Sequence, residues 1–496
     1  MENKYLEDKV LFSYFKNYLN DVKFVLKEES KGKIKSILKD ILEYEKELSS
    51  RKENGELSRV IPSYLQKKLR RIQDLWEILI KEAIYCLRHK DPVDKNEFKQ
   101  DFGIIEIKQY FKLFSDFEDM LYGSDKYYRD HSLHVIRVFL LGFYLLNKSN
   151  NINFLNIKIF HSEKLGDEEF SIEEKQAIWA LIALTHDLGY PLEKIDKINS
   201  KVKDLIKFFG PSDIEEFKYH LPLQNQILND FILKFISSKL VQDEQNNYLT
   251  IIQNKYYLKF AKAFENFKHG IMSCILLMKH LVYFKESDYS HSFLNYLTKR
   301  DVKQFLIRKT ILRSIASHDN DDIYHIAPNN FLFTLVFCDD LQEWDRPSDI
   351  YRISDSNKIK ILKFNDNEIS YAQYYDFSED ENFTRKIIDE SARKIKRYIK
   401  LFRSGPDSDK RTFTFKFVVN VNNGSSHYET LTFEYPPNTI PIVSILINNK
   451  HKKKNYIYEI IEYIEDNYNR NNEIINEIIK KIDEKFRSLN NTSNHL

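Results

Sequence analysis

One helix that is apolar on every side constrains the fold of this 496-residue chain more than any other stretch. Ser171 and Glu174 have the spacing of a capping box, in which two side chains satisfy the free backbone N–H groups at a helix start. The apolar residues that follow leave little polar face, and such a helix is buried at the centre of a protein. It is predicted to end at Asp187, because Gly189 and Pro191 are stop signals.

Composition favours a mainly α fold and a soluble protein. Glycine and proline number only 11 each, which suits long helices. The 76 Lys and Arg residues nearly balance the 74 Asp and Glu residues, which argues against a dedicated nucleic-acid or membrane-surface protein. The most apolar runs are shorter than the roughly 18 residues of a membrane span, so they are predicted to be core helices.

The cysteines and the first residues indicate a cytoplasmic protein. Cys86, Cys274 and Cys338 lie among apolar neighbours and form no CxxC pair, which argues against a disulfide framework or a thiolate zinc site. Residues 1–10 mix acids with bases and lack the order of a signal peptide. We therefore expect small core cysteines in a reducing compartment and no membrane attachment.

The chain is predicted to contain four parts. Residues 1–115 form an N-terminal helical region, and residues 116–348 form a more apolar core that contains the candidate histidines. Residues 349–445 form a small α+β module, and residues 446–496 form a C-terminal helical tail. The module should have the order ββαββ. A first hairpin is predicted at residues 359–364 and 368–374. A basic amphipathic helix follows at 381–403, and a second hairpin at 412–421 and 427–435.

Polar residues at the ends of the apolar core helices suggest a metal site. An ionised Asp187 at a buried helix end needs a cation or hydrogen bonds, and His186 lies beside it. Polar residues also stand in other apolar segments, at His131, His134, His269, His318 and Asp339. Any one alone is more often a satisfied core or helix-end residue. Five such segments together favour a divalent metal held by a helical bundle, and the absence of cysteine disfavours structural zinc.

The order His, His-Asp, His, His, Asp resembles that of the HD-domain metal-dependent phosphohydrolase superfamily. The resemblance covers about residues 120–345 and is carried best by His-Asp-Leu-Gly at 186–189. It implies an HD-type helical bundle core. It further implies one metal ion at His134, His186, Asp187 and Asp339, and a second at His269 and His318 with Asp187 bridging the two.

The family resemblance implies hydrolysis of a phosphoester or phosphoanhydride bond in a nucleotide-like small molecule. One or two divalent ions (Mn, Fe, Mg or similar) would activate a water molecule and clamp the phosphoryl oxygens, with Asp187 orienting the water. His131 is the alternative first ligand, and otherwise a candidate proton donor or phosphate contact. Lys194, seven residues after Asp187, is the first candidate for a cation that binds the phosphate.

Two other functions fit the same residues. The core could bind a nucleotide and signal through the C-terminal module, or it could be a nuclease acting on single-stranded nucleic acid. For the nuclease, the basic residues 394–403 would contact phosphates, although a solvated helix face explains them equally. A homo-oligomer is also expected. The sequence contains no GxxxxGK[ST] phosphate loop and no GxSxG nucleophile motif.

Overall fold

The computed structural model of the chain is mainly helical, with a small sheet near its C-terminal end. It describes residues 5–53, 57–90, 103–124, 130–159, 170–194, 223–245, 247–280, 297–320, 328–342, 344, 357–376, 394–395, 397–398, 401–402, 413–422, 428–437 and 442–447. Within these residues lie eleven α-helices and seven strands. The predicted mainly α class is confirmed, with a small sheet region near the C-terminal end.

The helices fall into three groups along the chain. The first group comprises α1 Asp8–Asn17, α2 Glu28–Glu53, α3 Leu57–His89 and α4 Ile104–Ser124. The second comprises α5 Ser132–Lys148 and α6 Ile172–Thr185. The third comprises α7 Leu223–Ser237, α8 Asn254–Glu265, α9 His269–His280, α10 Lys299–His318 and α11 Phe331–Leu341. Because α4 runs through residue 115, the predicted boundary of the N-terminal region falls inside a helix.

Helix α6 is the buried central helix that the sequence predicts. The capping box is present: the Ser171 hydroxyl accepts from the Glu174 N–H at 3.3 Å, and the Glu174 carboxylate accepts from the Ser171 N–H at 2.9 Å. Every side chain from Glu174 to Thr185 is buried. The predicted end at Asp187 is wrong by two residues, since residues 186–189 form a turn and Pro191 lies in the next helical turn, 190–194.

Two sheets accompany the helices. The strands β1 Ser238–Gln242 and β2 Tyr248–Ile252 form an antiparallel hairpin that the sequence analysis did not predict. A five-stranded sheet has the order β3-β4-β5-β6-β7 and consists of β3 Asn357–Phe364, β4 Glu368–Asp376, β5 Thr414–Asn422, β6 Tyr428–Tyr435 and β7 Ile442–Ile447.

The module contains both predicted hairpins. The pairs β3/β4 and β5/β6 are antiparallel, while β4 and β5 are parallel and therefore need a crossover connection between them. Most of the predicted helix 381–403 lies outside the described residues. Strand β7 was not predicted and runs two residues past the expected boundary at 445. The predicted helical tail beyond Ile447 lies outside the described residues.

The N-terminal helices and the C-terminal sheet both pack against the central helices. The Trp76 indole of α3 donates to the Leu184 carbonyl of α6 at 2.8 Å. On the other side, the Phe337 ring of α11 packs against Phe364 and Tyr371 of the sheet. The Trp76 contact is near the end of α6, where the candidate site lies. Among the described residues, none of the helices combines the length and apolar character required to cross a bilayer.

Candidate metal centre

The histidines and aspartates singled out in the sequence meet beyond the end of α6. His186 and Asp187 follow that helix directly, while His134 comes from the first turn of α5. His269 begins α9, His318 ends α10, and Asp339 lies near the end of α11. Residues separated by up to 205 positions in the chain therefore border one polar centre.

The first part of this centre is formed by His134, His186 and Asp339. The His134 Nε2 atom lies 3.0 Å from Asp339 Oδ1 and 3.6 Å from Asp187 Oδ2. The His186 Nε2 atom lies 3.4 Å from Asp187 Oδ1 and 4.0 Å from Asp339 Oδ1. One ligand atom from each of His134, His186 and Asp339 lies within 4.8 Å of the others, a spacing that one metal ion can bridge.

The second part is formed by His269 and His318 around the same Asp187. The Nε2 atoms of His269 and His318 lie 3.4 Å and 3.6 Å from Asp187 Oδ1, and 3.1 Å from each other. The Asp187 carboxylate is buried and contacts both parts. Its two oxygens therefore face imidazole nitrogens from both parts of the centre.

Two of the imidazoles are oriented by carbonyl groups of their own helices. The His186 Nδ1 atom lies 2.9 Å from the Ala183 carbonyl, and the His318 Nδ1 atom lies 2.6 Å from the Ile315 carbonyl. Because a carbonyl oxygen only accepts, each Nδ1 must carry the proton. In the neutral ring the opposite Nε2 then presents a lone pair to the centre.

The other two imidazoles are oriented by side chains. The His134 Nδ1 atom lies 2.5 Å from Gln342 Oε1, and the Gln342 amide nitrogen donates to the Trp344 carbonyl at 2.9 Å, which fixes the oxygen toward the ring. The His269 Nδ1 atom lies 2.6 Å from Glu193 Oε2. Histidines that bind metals in proteins have this arrangement, in which the second nitrogen donates to an acceptor.

The resulting arrangement needs a positive charge at its centre. The His186 Nε2 atom is buried and has no hydrogen-bond partner among the described residues. The neutral His269 and His318 rings would direct two lone pairs at each other across 3.1 Å, which is repulsive without a proton or a cation between them. Histidine nitrogens and carboxylate oxygens, with no cysteine sulfur, are ligands that suit Mn²⁺, Fe²⁺ or Zn²⁺ at a catalytic site.

The pKa values describe how the metal-free centre compensates its carboxylates. Burial lowers the pKa of His186 from 6.5 to about 4, so this ring is neutral at pH 7. Burial also opposes the charged form of His269, but Asp319 and Glu193 outweigh it and raise that pKa to about 9. The pKa of Asp187 lies well below its usual value, because the surrounding imidazoles outweigh the effect of burial.

Two glycines allow the ligand-bearing segments to approach each other closely. A Cβ atom at Gly189 would lie 2.3 Å from the His269 carbonyl oxygen, and one at Gly270 would lie 2.5 Å from the Ile315 carbonyl oxygen. The Gly189 N–H donates to Ser273 Oγ at 2.7 Å, and Ser273 donates to the His186 carbonyl at 2.7 Å. Glycine in the His-Asp-Leu-Gly turn thus brings His186 and His269 together.

His131 lies at the edge of the centre. It directly precedes α5, and its Nε2 atom is 4.0 Å from Asp187 Oδ2, farther than the Nε2 atom of His134. Its ring stacks on Tyr190 with centroids 3.7 Å apart, and its backbone N–H donates to the Glu118 carboxylate. His134 therefore lies closer to Asp187 than His131 does.

Lys194 contacts the neighbouring residues Glu193 and Tyr190. Its ammonium group is 2.8 Å from Glu193 Oε1 and 4.7 Å from the centroid of Tyr190. The sequence analysis missed Glu193, which contacts His269 directly and neutralises this lysine. It also missed Asp319, which lies 3.3 Å from His269 Nδ1, although the position next to His318 was a usable signal.

Comparisons of the chain with protein-family models, with curated proteins and with solved structures found no match in any of the three.

Proposed function

We propose that the chain is a metal-dependent phosphohydrolase with an HD-type core, acting on a nucleotide-like small molecule. The observation that carries the proposal is the orientation of four imidazoles. In each of His134, His186, His269 and His318, the Nδ1 atom is bonded to an acceptor while Nε2 faces Asp187 or Asp339. Histidines with a purely structural role do not need their Nε2 atoms to point at a common carboxylate, whereas histidines that bind metal ions do.

Bound divalent cations would supply the Lewis acidity and the charge neutralisation that phosphoryl transfer requires. The protein residues have separate tasks. His134, His186 and Asp339 would hold one cation, and His269 and His318 would hold the other. Asp187 lies between both groups, so its carboxylate would keep the two cations at a fixed separation and orient an attacking water toward the phosphorus atom.

The rim of the centre offers groups that suit a phosphoester. The His131 Nε2 atom lies 4.0 Å from Asp187 Oδ2, where the ring can hold a proton or donate it to a leaving oxygen. The ammonium group of Lys194 is held by Glu193, which lowers its value as a phosphate contact compared with the expectation from sequence. We assign Lys194 to the rim, where a substrate that displaces Glu193 would gain a cation.

The alternative nuclease function receives less support. Two of the cations in the basic segment 394–403 make contacts inside the protein. Lys394 is buried and donates to Gln373 at 3.2 Å, and Arg397 pairs with Asp340 at 2.5 Å. These two side chains are already used in tertiary contacts, so they do not form a phosphate-binding face.

The test combines metal analysis with a hydrolysis assay. Purified protein, reconstituted with Mn²⁺, Fe²⁺, Co²⁺ or Mg²⁺, is assayed for phosphate release from a panel of nucleotides and simple phosphoesters. We expect bound metal and turnover in the wild type. His186→Ala and Asp187→Asn should lose both by at least about a hundredfold, because each removes a ligand at the centre.

The matched control is His89→Ala, since His89 lies at the far end of α3 and stacks on Tyr85. It should keep full metal content and activity. If the metal-loaded wild type binds nucleotides tightly but releases no product, the protein is a nucleotide sensor and not an enzyme. Absence of metal binding in the wild type would end the proposal.

A further inference from the structure

A guanidinium group from the C-terminal module bonds to two of the helices that carry candidate metal ligands. The Arg397 Nη2 atom donates to the His318 carbonyl oxygen at 2.7 Å, and its Nη1 atom lies 2.5 Å from Asp340 Oδ1. His318 is the last residue of α10, and Asp340 directly follows Asp339 near the end of α11. One side chain therefore connects the two helix ends.

Both contacts are chemically favourable. The last carbonyl groups of a helix have no partner within the helix and carry partial negative charge, so a cation at the end of α10 satisfies an otherwise free acceptor. The Asp340 side chain is only 9 % exposed, and a hydrogen-bonded ion pair with restricted access to water is stronger than a surface pair. The planar guanidinium fixes both acceptors in one geometry, which an ammonium group cannot do.

The segment that carries Arg397 is itself held firmly. The Tyr398 ring is buried and lies 4.1 Å from the Phe415 ring of β5. The Phe402 ring packs against Phe333 of α11, with centroids 6.2 Å apart. The position of the guanidinium is thus set by the five-stranded sheet as well as by α11.

The two helices carry ligands from different halves of the centre. His318 lies beside His269, with 3.1 Å between their Nε2 atoms, and also clusters with His186 and Asp187, whereas Asp339 clusters with His134 and His186. A displacement of the end of α10 relative to the end of α11 would change the separation between the two halves. Asp187 can bridge both halves only while that separation is kept.

We propose that Arg397 is a positioning residue that sets the spacing of the two metal subsites and links the C-terminal module to them. The proposal rests on the metal centre of the proposed function. Arg397 would act through its contacts with the His318 carbonyl and the Asp340 carboxylate. The module would then serve as a structural part of the site, and not as an independent binding domain.

The test measures metal binding directly and does not depend on knowing the substrate. Full-length metal-free protein is titrated with Co²⁺, and both the stoichiometry and the visible absorption spectrum are recorded. Arg397→Ala should weaken the binding of the metal ions about 10- to 100-fold, as expected when a group that orients ligands is lost. Its Co²⁺ spectrum should change, because the ligand geometry changes with the spacing.

A conservative variant and a matched control separate positioning from general stability. Arg397→Lys should show an intermediate loss, since one ammonium group cannot bond both acceptors in the same geometry. The control is Lys394→Met, which removes a buried cation of the same segment that bonds Gln373 on β4. It should lower the unfolding midpoint of the metal-free protein while leaving the Co²⁺ affinity and spectrum unchanged.

Asp340→Asn provides a second route to the same interaction. If the ion pair acts as one unit, the losses of Co²⁺ affinity caused by Asp340→Asn and by Arg397→Ala should not add in the double variant. Wild-type Co²⁺ affinity in Arg397→Ala would overturn the positioning role and leave the proposed function intact. A wild type that binds no divalent metal would overturn both.

Discussion

Asp187 shows how much a single side chain depends on its surroundings. Its two oxygens lie within 4.0 Å of five imidazole nitrogens, contributed by His131, His134, His186, His269 and His318. A buried carboxylate would be costly by itself, and the imidazoles reverse that cost by holding its pKa well below the usual value. Such a strongly perturbed carboxylate in a histidine cluster is typical of a functional site.

The raised pKa of His269 predicts that protons and metal ions compete for the centre. The pKa is about 9, so at pH 7 the metal-free ring is charged and must release a proton before Nε2 can bind a cation. Metal affinity should therefore rise between pH 7 and pH 9, by up to about tenfold per pH unit for one proton released. Co²⁺ titrations at several pH values measure this dependence.

His269→Gln is the control for this dependence, because it removes the titrating ring. Its metal affinity should be lower at pH 9 and should vary less with pH. In the metal-free wild type, the same proton contributes stability that is fully present below about pH 6.5 and lost as pH rises through about 9. Equal metal affinity of the wild type at pH 7 and pH 9 would contradict the assignment.

Lys309 is a residue whose replacement should stabilise the protein. Its side chain is fully buried on α10, and its ammonium group has no hydrogen-bond partner among the described residues. Burial holds its pKa well below 10.5, with Arg313 adding to the effect. Lys309→Met should raise the free energy of unfolding by about 1 to 4 kcal/mol at pH 7, because it removes a charge that folding must neutralise.

Urea unfolding at pH 7 and pH 10 tests this expectation. A basic group with a lowered pKa destabilises the fold only below its unfolded pKa, where folding must neutralise it, so the gain from methionine should shrink as the pH approaches 10.5. Lys299→Met, in the exposed first turn of the same helix, should change stability little at either pH. A destabilised Lys309→Met protein would mean that the ammonium group has a partner.

At the scale of elements, the close approach of the 186–189 turn to α9 determines the geometry of the centre. Gly189→Ala would place a Cβ atom 2.3 Å from the His269 carbonyl and 2.6 Å from the Ser273 nitrogen, both of which are backbone atoms that cannot move alone. We expect a loss of about 1 to 3 kcal/mol in stability from overpacking. Metal affinity should also fall, because His186 and His269 move apart.

The matched control is Gly32→Ala in α2, where a Cβ atom would meet nothing within 4 Å. Alanine is a better helix former than glycine, so this variant should gain about 0.5 to 1 kcal/mol and bind metal normally. Urea unfolding and Co²⁺ titration are applied to both variants. Unchanged metal affinity in Gly189→Ala would show that the turn tolerates a shift without moving the ligands.

At the scale of the whole molecule, one buried acid joins four distant parts of the chain. Asp8 of α1 accepts from Lys68 of α3 at 2.7 Å, from Arg137 of α5 at 2.7 and 2.8 Å, and from the Trp344 indole at 3.1 Å. Arg137 lies one turn after His134 on α5. Ion pairs therefore connect α1 and α3 to α5, the helix that carries the candidate ligand His134.

Asp8→Asn should destabilise the whole protein by about 3 to 5 kcal/mol, because it removes the charge that pairs with the buried Arg137 and leaves Lys68 with Glu45 alone. Burial opposes ionisation of Asp8, but Arg137 and Lys68 outweigh it and lower its pKa. The stabilisation is hence present above about pH 3.8 and lost as pH falls below it. Glu29→Gln, at an exposed pair with Lys33, is the control and should show little change in urea unfolding.

Local sequence determined the helical class, the start of α6 and both hairpins of the module. These features depend on residues a few positions apart, such as Ser171 with Glu174, whose hydrogen bonds form within one turn. The candidate ligands could also be identified from the sequence, because burying histidine and aspartate in apolar helices costs free energy unless a partner compensates them. The sequence left His131 and His134 as alternatives, since both begin the same segment.

Only the tertiary structure decided which atoms face the centre and what holds them there. His134 is oriented by Gln342, 208 residues away, and His269 by Glu193, 76 residues away. Arg397 reaches the ends of α10 and α11 from a different module. Sequence periodicity determines the buried face of a helix, but the partner of a buried polar atom depends on how distant helices pack, and no local pattern records that.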